Sequence, residues 1–265
     1  MAATPTPDAI VIGTAVRPVA DGVAATARWL LAPSRYHDPR HPDRTRRPLR
    51  LPAAETHEVR TDDGVALRLA RFRGAGAPVM LSHCIGVSSR MYLSDTQPTT
   101  LTEYLHERGY DVWLLDHRLS IELPASGQQS KMDDLARFDY PAAIAAIREV
   151  THADGIHIVA HGVGSSTFTM ALLAGLQGVR SAVCSQVSTH LRVPFLNRLK
   201  TETRSSTVMA RLGRDSMTTY TDATASSPAR AFDRAARLYP IALDERCLNP
   251  VCHRITMMYG ELYEH

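Results

Sequence analysis

Apolar and polar positions fall into alternating blocks along the chain. HEVRT and VALRLARF flank Asp62-Asp63-Gly64, and two β-prone stretches around turn residues predict a hairpin starting near Thr56. APVMLSHC, residues 77–84, is a continuous apolar run and predicts a buried strand. Thr99 to Arg108 reads as a helix closed by Gly109. DVWLLDH at 111–117 predicts a second buried strand. Over Asp133 to Val150 a helical period puts Leu135, Phe138, Ala142, Ile144 and Ile147 mostly on one side. GIHIVAH at 155–161 is a third strand, Ser165 to Leu176 an apolar helix stopped by Gly178, and VRSAVCSQ at 179–186 a fourth strand. Strands alternating with helices predict an α/β fold, a mostly parallel sheet with helices on both faces.

The rhythm is lost over 189–250, which is helical in pattern but polar, with breaks at TETRSST and TDATASSPAR. An inserted cap or lid is expected there. HRITMMYG at 253–260 resumes a strand pattern. With no strand expected after it, that strand near Thr256 would expose unpaired backbone groups and invite self-association. At the other end, residues 1–32 are Ala-rich, with an amphipathic helix over Val19 to Leu31. Residues 33–52 are rich in Pro and Arg without a hydrophobic period, and read as an extended arm or solvated linker. The expected organisation is an arm over 1–55, a core over 56–188 and 251–265, and a cap over 189–250.

Composition narrows the class. Of 265 residues, 44% are hydrophobic and 22% charged, which is ordinary globular usage and excludes a wholly disordered, collagen-like or disulfide-dense chain. A net charge of +3 does not mark a nucleic-acid binder. Cys84, Cys184, Cys247 and Cys252 match neither zinc-site nor disulfide spacing, so free thiols in a reducing, cytoplasmic setting are expected and no metal site is. There is no long apolar run for a membrane span, and Asp8 with no basic stretch argues against a secretory signal. The VIG at 11–13 lacks a G-x-G-x-x-G, so no dinucleotide cofactor is expected, nor any other.

The sharpest chemical signal is IVAHGVGSSTFTMALLAGL, residues 158–176: a buried strand, a tight turn and an immediate helix. This is the context of a nucleophile elbow, small-x-nucleophile-x-small, where strand and helix backbones nearly touch. Ala160 and Gly164 are the small residues, and the nucleophile position falls on Gly162, which has no side chain to attack with. Ser165 and Ser166 are expected to cap the helix rather than attack. In VMLSHCIGVSSRMY, residues 79–92, the loop after the strand would offer an oxyanion N–H near Ile85, with Val163 giving the other. Cys84 reads either as a substitute nucleophile, activated by His83, His161 or a helix start, or as a small packed residue; the packing reading is preferred. His83, Cys84 and His161 flank the expected pocket. Glu261 and Glu264, after the MMYG strand, are candidate acids. His190, His253 and His265 are poorly placed as a base, so the base is unassigned.

The stretch MDDLARFDYPAAIAAIREVT followed by IHIVAHGVGSSTF resembles the acid-lipase type of α/β-hydrolase, as does GYDVWLLDHRLSIELPAS. Through DHRLSIELPAS, DYPAA and VCSQVSTH it is similar, more closely, to the α/β-hydrolase domain found beside cholesterol-oxidase-like (GMC-type) flavoprotein oxidoreductases. The resemblance implies an α/β-hydrolase sheet with an inserted helical cap, acyl esters of lipid or sterol type as substrates, and a flavoprotein neighbour. This chain departs from it at Gly162, where Ser or Cys is usual, and at Cys84, where Gly is common; the last strand and its helix are expected to be absent. The expectation is a lipase/esterase-class protein that is inactive as it stands, or alternatively a non-catalytic acyl-binding or partner-docking domain.

Overall fold

The computed structural model describes residues 45–188, 195–204, 207, 208 and 211. The chain divides into two compact units, Arg44–Leu191 and a second made of Met1–Asp43 with Arg192–His265. The first unit holds a six-stranded sheet in the order β1-β2-β4-β3-β5-β6.

β1 (Glu55–Arg60) and β2 (Ala66–Phe72) form the expected hairpin, with Glu55 opposite Arg71 and Arg60 opposite Ala66. Its turn is closed by Thr61, whose hydroxyl lies 2.5 Å from Asp63 Oδ1 and accepts the Val65 N–H at 2.9 Å. β2 pairs antiparallel with β4 (Asp111–Asp116). From there the sheet is parallel, through β3 (Pro78–Ser82), β5 (Ile156–His161) and β6 (Val179–Ser185). β3 and β4 are buried along their whole length, which is why their sequences read as unbroken apolar runs. β6 is largely exposed, with Val183 61% accessible.

Helices cover both faces. α1 (Leu101–Glu107) starts at a capping box, in which Thr100 Oγ1 accepts the Glu103 N–H at 3.1 Å and Glu103 accepts the Thr100 N–H at 2.8 Å. Leu105 of α1 packs with the face formed by Phe72, Val79, Leu81, Val112 and Leu114. The opposite face, with Leu69, Met80, Trp113 and Ile158, is covered by α2 (Tyr140–Thr151) and α3 (Val163–Leu173) through Tyr140, Ile144, Ile147 and Phe168.

Two segments differ from their sequence pattern. The helical stretch from Asp133 is not one regular helix: a π-helical turn over Leu135–Asp139 precedes α2. That turn carries an extra residue, so the buried set becomes Leu135, Ala136, Tyr140, Ala143, Ile144 and Ile147, while Phe138 and Ala142 are only half-buried. The segment read as a solvated linker to residue 52 is docked at its end. Arg47 grips the buried Glu103 carboxylate with both terminal nitrogens, at 2.7 and 2.8 Å. The Arg50 N–H donates to the same carboxylate at 2.8 Å, and Leu51 packs on the core. The arginine hydrogen bond from Arg47 is the main cause that holds Glu103 far below the usual carboxylate range, against its burial.

In the second unit, α4 (Phe195–Glu202) lies inside the segment read as helical and ends within TETRSST. The expected helix over Val19 to Leu31, most of the cap, and the HRITMMYG strand with its edge lie outside the described residues. Among the described residues no helix is long and apolar enough to cross a membrane, and no group of His, Cys, Asp and Glu is placed to hold a metal ion.

Candidate functional site

β5 ends at His161 and α3 begins at Val163, so Gly162 alone makes the turn. Its backbone has φ 58° and ψ −121°, a combination that side-chain-bearing residues seldom adopt. The turn is held from two sides: the Gly162 N–H donates to Ser185 O at 2.9 Å, and its carbonyl accepts the Ser166 N–H at 3.1 Å. Gly164 lets α3 sit on the end of β3, since a Cβ there would lie 2.5 Å from His83 O and 3.0 Å from Ser82 O. Ala160, the other small residue, is fully buried.

Cys84 stands over this turn. The Val163 N–H donates to its sulfur at 3.4 Å. A Cβ placed on Gly162 would overlap that sulfur and lie 3.1 Å from the Cys84 Cβ. The thiol is free, as is that of the exposed Cys184. Ile85 follows in the loop and is 37% exposed.

The other residues expected at the pocket turn elsewhere. His83 is wholly buried, with Nδ1 2.6 Å from Cys84 O and its ring stacked 3.8 Å from that of His117. Leu119 N–H points at His117 Nδ1, so the opposite nitrogen carries the proton that His117 gives to His83 O at 3.0 Å. Burial, with His83 beside it, pushes His117 down to about 3, and burial lowers His83 as well, so both rings are neutral at pH 7. His83 Nε2 is 3.8 Å from Asp116 Oδ1. Burial works to raise Asp116, but the Ser89 N–H at 2.8 Å, Arg68 at 2.6 Å and the Ser120 hydroxyl outweigh it and hold the carboxyl below its ordinary value. His161 turns toward β6, its Nδ1 3.3 Å from Ser185 Oγ.

The expected capping role of the two serines is corrected. The Ser165 hydroxyl is buried and shares its hydrogen between Ala160 O at 2.6 Å and Ser185 O at 2.8 Å, and Ser166 Oγ lies 3.5 Å from Ser188 O. They tie α3 to the ends of the sheet. Tyr140 is a support the sequence reading missed: its hydroxyl donates to Gly164 O at 2.7 Å and sits 2.8 Å from Ser82 Oγ. A Tyr in an apolar helix gives no signal of that kind. Glu261 and Glu264 lie outside the described residues, as do His190, His253 and His265. A separate groove of about 450 Å³ between α2 and α3, with Arg137 and Arg148 on it, includes none of the turn residues.

Comparison with known proteins points one way. The chain is 30% identical over 125 residues to Lipase 1 of Drosophila melanogaster, covering 43% of this chain and 28% of that one. It is 30% identical over 139 residues to human Lipase member K, covering 45% and 34% respectively. With human gastric triacylglycerol lipase it shares 28% identity over 130 residues, 42% of this chain and 33% of the lipase. This chain thus spans about a third of the length of the curated relatives it matches. A mostly parallel sheet of this strand order, covered on both faces and coupled to lipase-like sequence, decides the architecture. The fold is that of an α/β-hydrolase. An esterase structure from Pyrococcus furiosus aligns with the chain at 18% identity and a TM-score of 0.44, over 68% of this chain and 65% of that one. No family model matches the chain.

Proposed function

We propose that this chain is an α/β-hydrolase of the lipase or esterase class, shaped for acyl esters of lipid or sterol type, with its nucleophile position held by Gly162. The observation that carries the reading is the backbone of Gly162, bent to φ 58° and ψ −121° between β5 and α3, with no side chain to use that bend. The backbone N–H groups of Ile85 and Val163 are the proposed oxyanion donors, the second once an acyl oxygen displaces the Cys84 sulfur it now donates to. Such donors stabilise charge on a carbonyl oxygen but cannot attack its carbon, so acyl binding with little or no turnover is the expected behaviour. Glu261 or Glu264 as the acid, a cap over 189–250, a cytoplasmic setting and a flavoprotein oxidoreductase as neighbour complete the proposal. The lipase relatives support the substrate class, and the free thiols of Cys84 and Cys184 support a reducing compartment.

The test pairs binding with turnover. The purified protein is titrated with a fluorescent fatty acid and assayed with p-nitrophenyl esters of short and long acyl chains. Saturable binding without ester cleavage above buffer is expected. Vigorous cleavage overturns the disarmed elbow, and failure to bind any acyl ligand overturns the substrate class.

A further inference from the structure

We infer that Cys84 is the residue that closes the elbow: its side chain fills the volume any side chain on residue 162 would need, and it occupies the Val163 N–H. The inference deepens the reading of 162 as the nucleophile position and rests on it for its functional meaning.

The geometry leaves little room for compromise. A Cβ on residue 162 overlaps the Cys84 sulfur, stands 3.1 Å from the Cys84 Cβ and 3.9 Å from its Cα. Rotating the thiol away removes the first contact but leaves the second, tighter than most real carbon contacts. Removing the Cys84 side chain removes both, and the remaining Cα distance is ordinary van der Waals contact. Neither backbone is free to shift. The Cys84 carbonyl is held by His83 Nδ1 at 2.6 Å and the His83 carbonyl by His117 at 3.0 Å. On the other side, Ser185 and Ser166 hold both backbone groups of Gly162. A side chain at 162 therefore requires a smaller residue at 84. With Cys84 present, its sulfur takes the Val163 N–H at 3.4 Å that a substrate oxygen would otherwise use.

A double-mutant cycle on the full chain tests this. Gly162→Ser, Cys84→Gly and the double variant are melted beside the parent. The backbone strain of a side chain at positive φ is the same in both backgrounds, so it cancels and the cycle isolates the contact with Cys84. Gly162→Ser alone is expected to lower Tm by on the order of 5 °C, the usual effect of overpacking in a domain of this size. The double variant is expected to melt above the Gly162→Ser single. Cys84→Ser, close in size to Cys, is expected to give no such rescue. If the two effects simply add, the inference is overturned. If Gly162→Ser does not fold, recovery of a folded double variant supports the inference, and a double that stays unfolded while Cys84→Gly folds overturns it. The cycle reads packing alone, so its failure is distinct from failure of the lipase or esterase reading, which is read by the fatty-acid titration and ester assay of the parent protein.

Discussion

Gly164 and Gly162 are glycines for different reasons, and the difference is testable. Gly164 lies in the first turn of α3 with the carbonyls of Ser82 and His83 pressed against it, and backbone oxygens cannot move aside as a side chain can. Gly164→Ala is expected to cost about 1–3 kcal/mol by overpacking, read as a lower urea midpoint with unchanged slope. Gly162 is constrained by its backbone angles and by Cys84 together. The first constraint was legible in the sequence, because small residues on either side of a strand-to-helix junction have few other causes. The second was not. Cys84 lies in the loop after another strand, and only the parallel pairing of β3 with β5 brings that loop to the turn. His83 and His161 show the same limit: spacing placed them at strand ends, but pleat and packing sent one into the core and the other to β6.

Elements are joined by buried charges that no periodicity announces. Arg118, just after β4, is almost wholly buried and links the hairpin turn to the π-helical turn, pairing with Asp63 at 2.8 Å and Asp139 at 2.6 Å. The two partners differ in surroundings. Burial raises the pKa of Asp139 despite the arginine, whereas the hydrogen bond from Arg118 lowers that of the partly exposed Asp63. Removing the buried partner strands the arginine charge more completely. Asp139→Ala is therefore expected to cost about 3–5 kcal/mol, and Asp63→Ala clearly less, both measured by denaturant unfolding. β3, β4 and β5 were visible as apolar runs, and the hairpin by its turn residues, because burial on one or both faces dictates those patterns directly. The π-helical turn was invisible because one inserted residue changes the phase of a helix without changing its composition. The docking of Arg47 was invisible because its partner, Glu103, lies 56 residues away on α1, and nothing in the pattern of either segment links them.

The molecule as a whole should lose stability steadily in acid. His117 titrates near 3 when folded, against about 6.5 for a free imidazole, so below that value the unfolded chain takes up a proton that the folded one refuses. His83 acts in the same sense. As pH falls further, Glu103, Asp116 and Asp63, all held below their ordinary values, lose their partners' stabilisation, while Asp139 works the other way. Melting temperature measured against pH is expected to decline from about 6.5 downward, and His117→Gln to flatten the upper part of that decline. A profile that His117→Gln leaves unchanged would show that this imidazole carries none of it. The strand order has a consequence of another kind, for the chain as it leaves the ribosome. β3 pairs only with strands made after it, β4 on one side and β5 on the other, and β2 waits for β4. A nascent chain that has released β3 but not β5 holds out one of the most apolar strands of the sheet with an open edge, the template on which foreign strands add. Translation speed across residues 83–155 therefore sets how long each copy remains open to aggregation, independently of how stable it becomes.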